Sequence, residues 1–138
     1  MAFVAFQVYA RRMGLTYATL TLRNPRMQDL LPITVRSLAD TGALHLCLPN
    51  HVALQLELEE LEKREVVTAD GRKMFCPYVG PVRVSFGNRN CYTGAIVLGD
   101  EVLLGAVPME DMDLVVSPAK RSVIVNPDSP NIPLSVAK

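Results

Sequence analysis

The stretch Ile33-Thr34-Val35-Arg36-Ser37-Leu38-Ala39-Asp40-Thr41-Gly42-Ala43-Leu44 decides how this chain folds. Ile33 to Ala39 reads as a strand, Asp40 to Ala43 as a tight turn, and Leu44 to Leu48 as a second apolar run. Asp and Gly both suit tight turns, so Asp40 taken alone is ordinary turn chemistry. The same geometry also presents a carboxylate at the end of a strand. The chain carries one such loop, so any chemistry that needs two of these acids needs two copies of the chain.

Outward from the loop, short strands follow one another. Thr16 to Leu22 alternates Thr19 and Thr21 with Ala18, Leu20 and Leu22, a half-buried strand ended by Asn24-Pro25. After Pro49, Asn50 to Leu56 predicts a short helix with Val52 and Leu56 on one face. Leu54, Leu58 and Leu61 fit a longer helix, while Leu56-Glu57-Leu58-Glu59 alternates as a strand does. Periodicity leaves both open. Val66-Val67-Thr68 and Lys73 to Tyr78 flank Ala69-Asp70-Gly71-Arg72, a strong hairpin signal.

Val82, Val84 and Phe86 alternate with Arg83 and Ser85. Cys91 to Leu98 is a further strand, whose interior Gly94 marks a bulge or a close backbone approach. Val102-Leu103-Leu104-Gly105 comes next, then a helical turn from Pro108 with Glu110 and Asp111 expected near its start. Leu114 to Val116 and Ser122 to Val125 predict a closing hairpin. The tail at 127–138, with Pro127, Pro130 and Pro133, is expected to be extended. Many short strands at turn spacing, without repeat or linker, imply one small, mostly β, barrel-like domain.

At 138 residues, 49% hydrophobic and 20% charged, the chain is long enough for a core and too apolar for a disordered tail. Its formal net charge of zero argues against nucleic acid or an anionic membrane as partner, since both need a basic patch. Cys47, Cys76 and Cys91 form no CxxC and read as reduced core thiols of a cytoplasmic protein. His45, Cys47 and His51 fit no standard zinc spacing, and no glycine-rich phosphate loop is present, so no metal and no cofactor is expected. No apolar stretch reaches the length of a membrane span. Met1 to Ala10 is apolar but lacks a basic n-region, which leaves residues 1–12 as a leader of uncertain order.

Asp40-Thr41-Gly42-Ala43, a short helix, the Asp70-Gly71 hairpin and Leu103-Leu104-Gly105 stand in the order found in aspartic peptidases of the retropepsin-like group (clan AA). Over residues 13–126 the chain resembles the small single-domain bacterial forms. The resemblance implies an acid-protease barrel with one or two short helices, closed by a flap hairpin. It implies a homodimer acting on polypeptide substrates, with Asp40, Thr41 and Gly42 catalytic. Substrate would lie against Ala43, Leu44, Leu103, Leu104 and Gly105, under a flap tip of Ala69, Asp70 and Gly71. Apolar subsites are expected near Leu44, Val67, Val97 and Leu103.

Two linked departures separate the chain from retroviral members, which carry an acid two residues after the Asp-Thr-Gly glycine and an arginine after the second glycine. Here those positions are Leu44 and Ala106, so both partners of that ion pair are absent together. Ala43 stands where pepsin-like sites have a hydroxyl able to donate to the carboxylate. Its absence predicts activity reaching mildly acidic or near-neutral pH. The alternative on the same residues is a non-catalytic retropepsin-like module that binds peptides or dimerises.

Overall fold

The computed structural model describes residues 16–137; the expected leader at 1–12 lies outside them. Among the described residues the elements run β1 (Tyr17–Arg23), β2 (Ile33–Ala39), β3 (Leu46–Leu48), α1 (Asn50–Gln55), β4 (Glu59–Val67), β5 (Lys73–Phe86), β6 (Arg89–Val97), β7 (Val102–Leu104), α2 (Ala106–Asp111), β8 (Leu114–Ser117) and β9 (Ser122–Val125). The strands form one sheet in the order β4-β5-β6-β3-β7-β2-β1-β9-β8. A further antiparallel pairing of β1 with β5, Thr21 opposite Ser85 to Arg23 opposite Arg83, closes six of them into a barrel.

Strand alternation assigns the apolar residues to two faces. Ala39, Leu46, Leu48, Ala95, Val102 and Leu104 point into the barrel, where they join Leu20, Leu22, Val82 and Val84 in the main core. Their chain neighbours Leu38, Cys47, Ile96 and Leu103 form a second, smaller cluster with Cys76, against which Tyr17, Val66, Tyr78 and Leu98 pack. The second cluster therefore lies on the other side of β2, β3, β6 and β7, beneath the hairpin of β4 and β5.

β5 is 14 residues long and serves both structures. Its first half pairs with β4 as a hairpin, and its second half pairs with β6 and β1 in the barrel wall. The two segments expected around Gly80-Pro81 are thus one strand, with a register shift between Val79 and Val82 where the pairing changes.

The ambiguous run after α1 resolves as strand. Glu57 takes a left-handed φ of 50°, the helix stops, and β4 begins at Glu59. Buried Asn24 holds this corner, its Nδ2 donating to the Leu56 carbonyl at 2.9 Å. The second helix differs from expectation in phase. It starts at Ala106, two residues before Pro108, so Glu110 and Asp111 fall in its last turn and no acid lies in its first. The early start follows from the residues before it, as the Ala106 and Val107 amides donate back to the Asp40 loop.

Candidate active site

β2 ends at Ala39 and hands Asp40 to a turn in which the Ala43 amide donates to the Asp40 carbonyl at 3.0 Å. β7 lies parallel to β2, with Leu38 opposite Leu103 and Ala39 opposite Leu104, and it is antiparallel to β3, with Cys47 opposite Leu103. The segment leading to Gly105 therefore runs between the two arms of the loop. The Asp40 amide donates to the Leu104 carbonyl at 3.0 Å, and the Ala106 and Val107 amides donate to the Ala43 and Leu44 carbonyls at 2.8 and 2.9 Å.

Close contact at this crossing requires a residue without Cβ. A Cβ on Gly105 would stand 2.3 Å from the His45 carbonyl oxygen and 2.8 Å from that of Ala43, both of them backbone atoms. The positions where retroviral members carry an ion pair, Leu44 and Ala106, are tied here by these backbone bonds. Leu44 keeps an exposed side chain.

The Asp40 carboxylate is half-buried, and among the described residues its hydrogen-bond donor is the Gly42 amide, which reaches Oδ1 at 2.9 Å. That leaves Oδ2 available to a group from outside. Thr41 and Gly42 are exposed beside it, Ala43 is half-buried, and Leu103, Leu104 and Gly105 are buried beneath. The structure thus brings Asp40 to Leu44 together with Leu103 to Gly105.

The hairpin tip stands apart from that group, since among the described residues the hydrogen bonds of residues 68 to 72 stay within the hairpin. The Thr68 amide donates to the Arg72 carbonyl at 2.8 Å, and the Gly71 amide to the Thr68 carbonyl at 2.9 Å. Gly71 has a φ of 85°, the left-handed residue that a three-residue hairpin loop needs. The Asp70 carboxylate accepts from the Thr68 hydroxyl, from the Arg72 amide at 3.2 Å and from Arg72 Nε at 2.8 Å. Those bonds, the Thr68 hydroxyl first, hold its pKa below the usual carboxylate value.

The apolar lining differs by one residue from the sequence reading. Val66 and Ile96 share the face of Leu103, whereas Val67 is exposed and Val97 packs on the barrel core. A slip of one position turns a strand residue to the opposite face. Three residues outside the expected site also meet under the hairpin stem: His45, Arg64 and Tyr78. They come from the loop before β3, from β4 and from β5, and no local motif announces them.

The thiols here are buried and held in the protonated form. Burial first, then Cys76 and Asp40, push the Cys47 thiol up to about 12, and burial likewise raises Cys76. Among the described residues no group of three or more His, Cys, Asp or Glu is able to hold a metal ion.

No protein-family model matches the chain, and no curated protein matches it in sequence. Solved structures do. The EIAV protease complexed with the inhibitor HBY-793 aligns with a TM-score of 0.54 at 18% identity, over 70% of this chain and 86% of that one. The retroviral protease-like domain of Ddi1 from Leishmania major aligns with a TM-score of 0.52 at 10% identity, over 82% of this chain and 90% of that one. A retropepsin-like aspartic protease from Rickettsia conorii aligns with a TM-score of 0.49 at 19% identity, over 77% and 79%. With the closed six-stranded barrel, the Asp40 loop crossed by Leu103 to Gly105 and the β4–β5 hairpin, the first two alignments show that this chain has the retropepsin-like fold.

Proposed function

We propose that the protein is an aspartic endopeptidase that works as a homodimer, each subunit contributing Asp40. The observation that carries this reading is the Asp40 carboxylate itself, braced by the Gly42 amide at one oxygen and left available at the other. Two such carboxylates facing each other across a two-fold axis cannot both ionise, so they share a proton, as paired acids in aspartic peptidases generally do. The ionised group takes a proton from a bound water, and the protonated group donates to the scissile carbonyl as the water adds to its carbon. Collapse of the tetrahedral adduct breaks the C–N bond, with a proton passing to the leaving amine. The titration belongs to the pair rather than to either residue.

The surface beside the loop supports assembly. A groove of about 660 Å³ opens next to Thr41, lined by Ala106, Met109, Leu114 and Val116 among others. β8 forms one border of the groove and is the last strand of the sheet order, where a second copy would meet it. Under this reading Thr41 braces the opposite loop, and Ala69, Asp70 and Gly71 close over an extended polypeptide.

The decisive experiment is Asp40→Asn. The variant should fold and dimerise while losing cleavage of a diverse peptide mixture, and continued cleavage by a clean preparation would refute the mechanism. Specific activity of the unaltered protein should also fall on dilution, as monomers hold half a site. Inertness of an intact dimer from pH 3 to pH 8 would instead leave the reading of a peptide-binding module.

A further inference from the structure

A second polar cluster lies under the hairpin stem and has no part in the chemistry above. His45 follows the Asp40 loop immediately before β3, Arg64 lies in the middle of β4, and Tyr78 lies in β5. The Arg64 guanidinium sits 3.7 Å over the Tyr78 ring, and its Nη1 is 3.4 Å from His45 Nε2. The His45 and Tyr78 rings meet edge to face at 6.0 Å. Tyr78 is seated in turn by Gly94, where a Cβ would come within 2.1 Å of the phenol ring. That close approach explains the glycine inside β6.

The result is a planar cation held flat on an aromatic ring. Tyr78, beneath it, packs against the cluster of Leu38, Cys47, Cys76, Ile96 and Leu103, as does Val66, next along the same face of β4. The hairpin's other cations differ in exposure: Lys63, Lys73 and Arg72 reach into solvent, where they pair with Glu60, Glu65 and Asp70. Arg64 meets one carboxylate, Glu62, through a single 3.3 Å contact in which the two side chains are 36% and 56% exposed. Such a pair is screened by solvent and contributes little. Stacking leaves the guanidinium edge turned outward, and its five N–H donors exceed the two partners it has among the described residues, His45 and Glu62.

We infer that Arg64, positioned by His45 and Tyr78, is a carboxylate-binding subsite, and that the cleft selects peptides carrying an aspartate or glutamate side chain at one position beside the scissile bond. An incoming carboxylate accepts two N–H bonds from the guanidinium fork and displaces the single contact to Glu62. This rests on the reading of the cleft as a peptide site. The competing role, in which Arg64 only braces the hairpin stem, predicts no effect on which peptide is chosen.

The test uses the full chain and quenched fluorogenic peptides differing at one position at a time between Glu, Gln and Lys. At one position the protein should cleave the Glu peptide roughly 10-fold or more faster in kcat/KM than the Gln peptide. R64Q should abolish that ratio, R64K should keep part of it, and R64E should invert it towards Lys. Equal turnover of Glu and Gln peptides everywhere, or a Glu preference that survives R64Q, would overturn the subsite.

Anisotropy with labelled forms of the same peptides and the D40N protein separates this inference from the peptidase reading. An Arg64-dependent Glu preference in binding, with no turnover by the unaltered protein, would uphold the subsite and sink the enzyme. Turnover without acid preference would do the reverse, and absence of both binding and turnover would overturn both.

Discussion

The chain carries two acidic turns, at the end of β2 and at the tip of the β4–β5 hairpin, and their carboxylates are treated in opposite ways. Asp70, at the hairpin tip, is saturated by the Thr68 hydroxyl, the Arg72 amide and Arg72 Nε. Asp40, at the end of β2, accepts from the Gly42 amide among the described residues. Both belong to Asp/Gly turns, which a sequence presents in much the same way. What distinguishes them is completeness. A carboxylate whose hydrogen bonds are all met locally serves its own turn, whereas one braced on a single oxygen remains able to engage a group from outside.

The sharpest way to break this contrast is to remove each charge in turn. Asp40→Asn should lower kcat/KM by at least about a thousandfold with the melting transition unchanged. Asp70→Asn should leave the chemical step intact and act instead through a looser hairpin, seen as a raised KM. Equal loss of kcat in the two variants would abolish the distinction.

Next in size come the glycines that accompany the two acids. Gly105→Ala meets backbone oxygens on two sides, so it should destabilise the protein by about 1–3 kcal/mol in urea unfolding. Gly71→Ala meets nothing within 4 Å and suffers only from its φ of 85°. Its cost should be nearer about 1 kcal/mol, confined to the hairpin. A larger loss at Gly71 than at Gly105 would mean that the tip, not the crossing, anchors this half of the fold.

The smallest effect is a titration. Because the folded pKa of Asp70 is depressed, the stability it lends the hairpin is fully present above the ordinary carboxylate value of 3.8 and is lost as pH falls through the lowered folded value. Amide exchange at Gly71 and Arg72 should accelerate in that window. A second tied acid behaves similarly at lower pH. The Ser129 hydroxyl, the Leu134 amide and Asn126 hold Asp113 at about 2, so the Leu134 amide should stay protected until near that pH. Asp113→Asn should expose it at neutral pH.

Much of this architecture is visible in the sequence because its signals are local. The strand into Asp40, the Asp70-Gly71 turn, the Leu103-Leu104-Gly105 segment and the closing hairpin each depend on residues within a few positions of one another. What escapes local reading depends on phase. Val66 and Val67 are chemically identical neighbours, and only the pairing of Val66 with Met74 and Val67 with Lys73 tells which one faces inward. The register shift between Glu60 and Glu62 resets that phase upstream. Helix α2 begins early because its first amides are drawn to carbonyls of the Asp40 loop, far away in sequence. The Arg64 cluster is hidden for the same reason, since its three members meet only after the hairpin folds back toward β3.

The length of β5 has a mechanical meaning. A lid hinged on a loop opens by turning a few free dihedrals, but this hairpin has no such hinge on its β5 side. The strand that carries Lys73 and Met74 at the tip is the strand that seals the barrel against β1 through Val84 and Ser85. Lifting the tip therefore flexes a bonded beam, and the register shift between Val79 and Val82 interrupts its pairing with β6 along the way. The stiffness of the cover and the closure of the barrel are, in this chain, one elastic property.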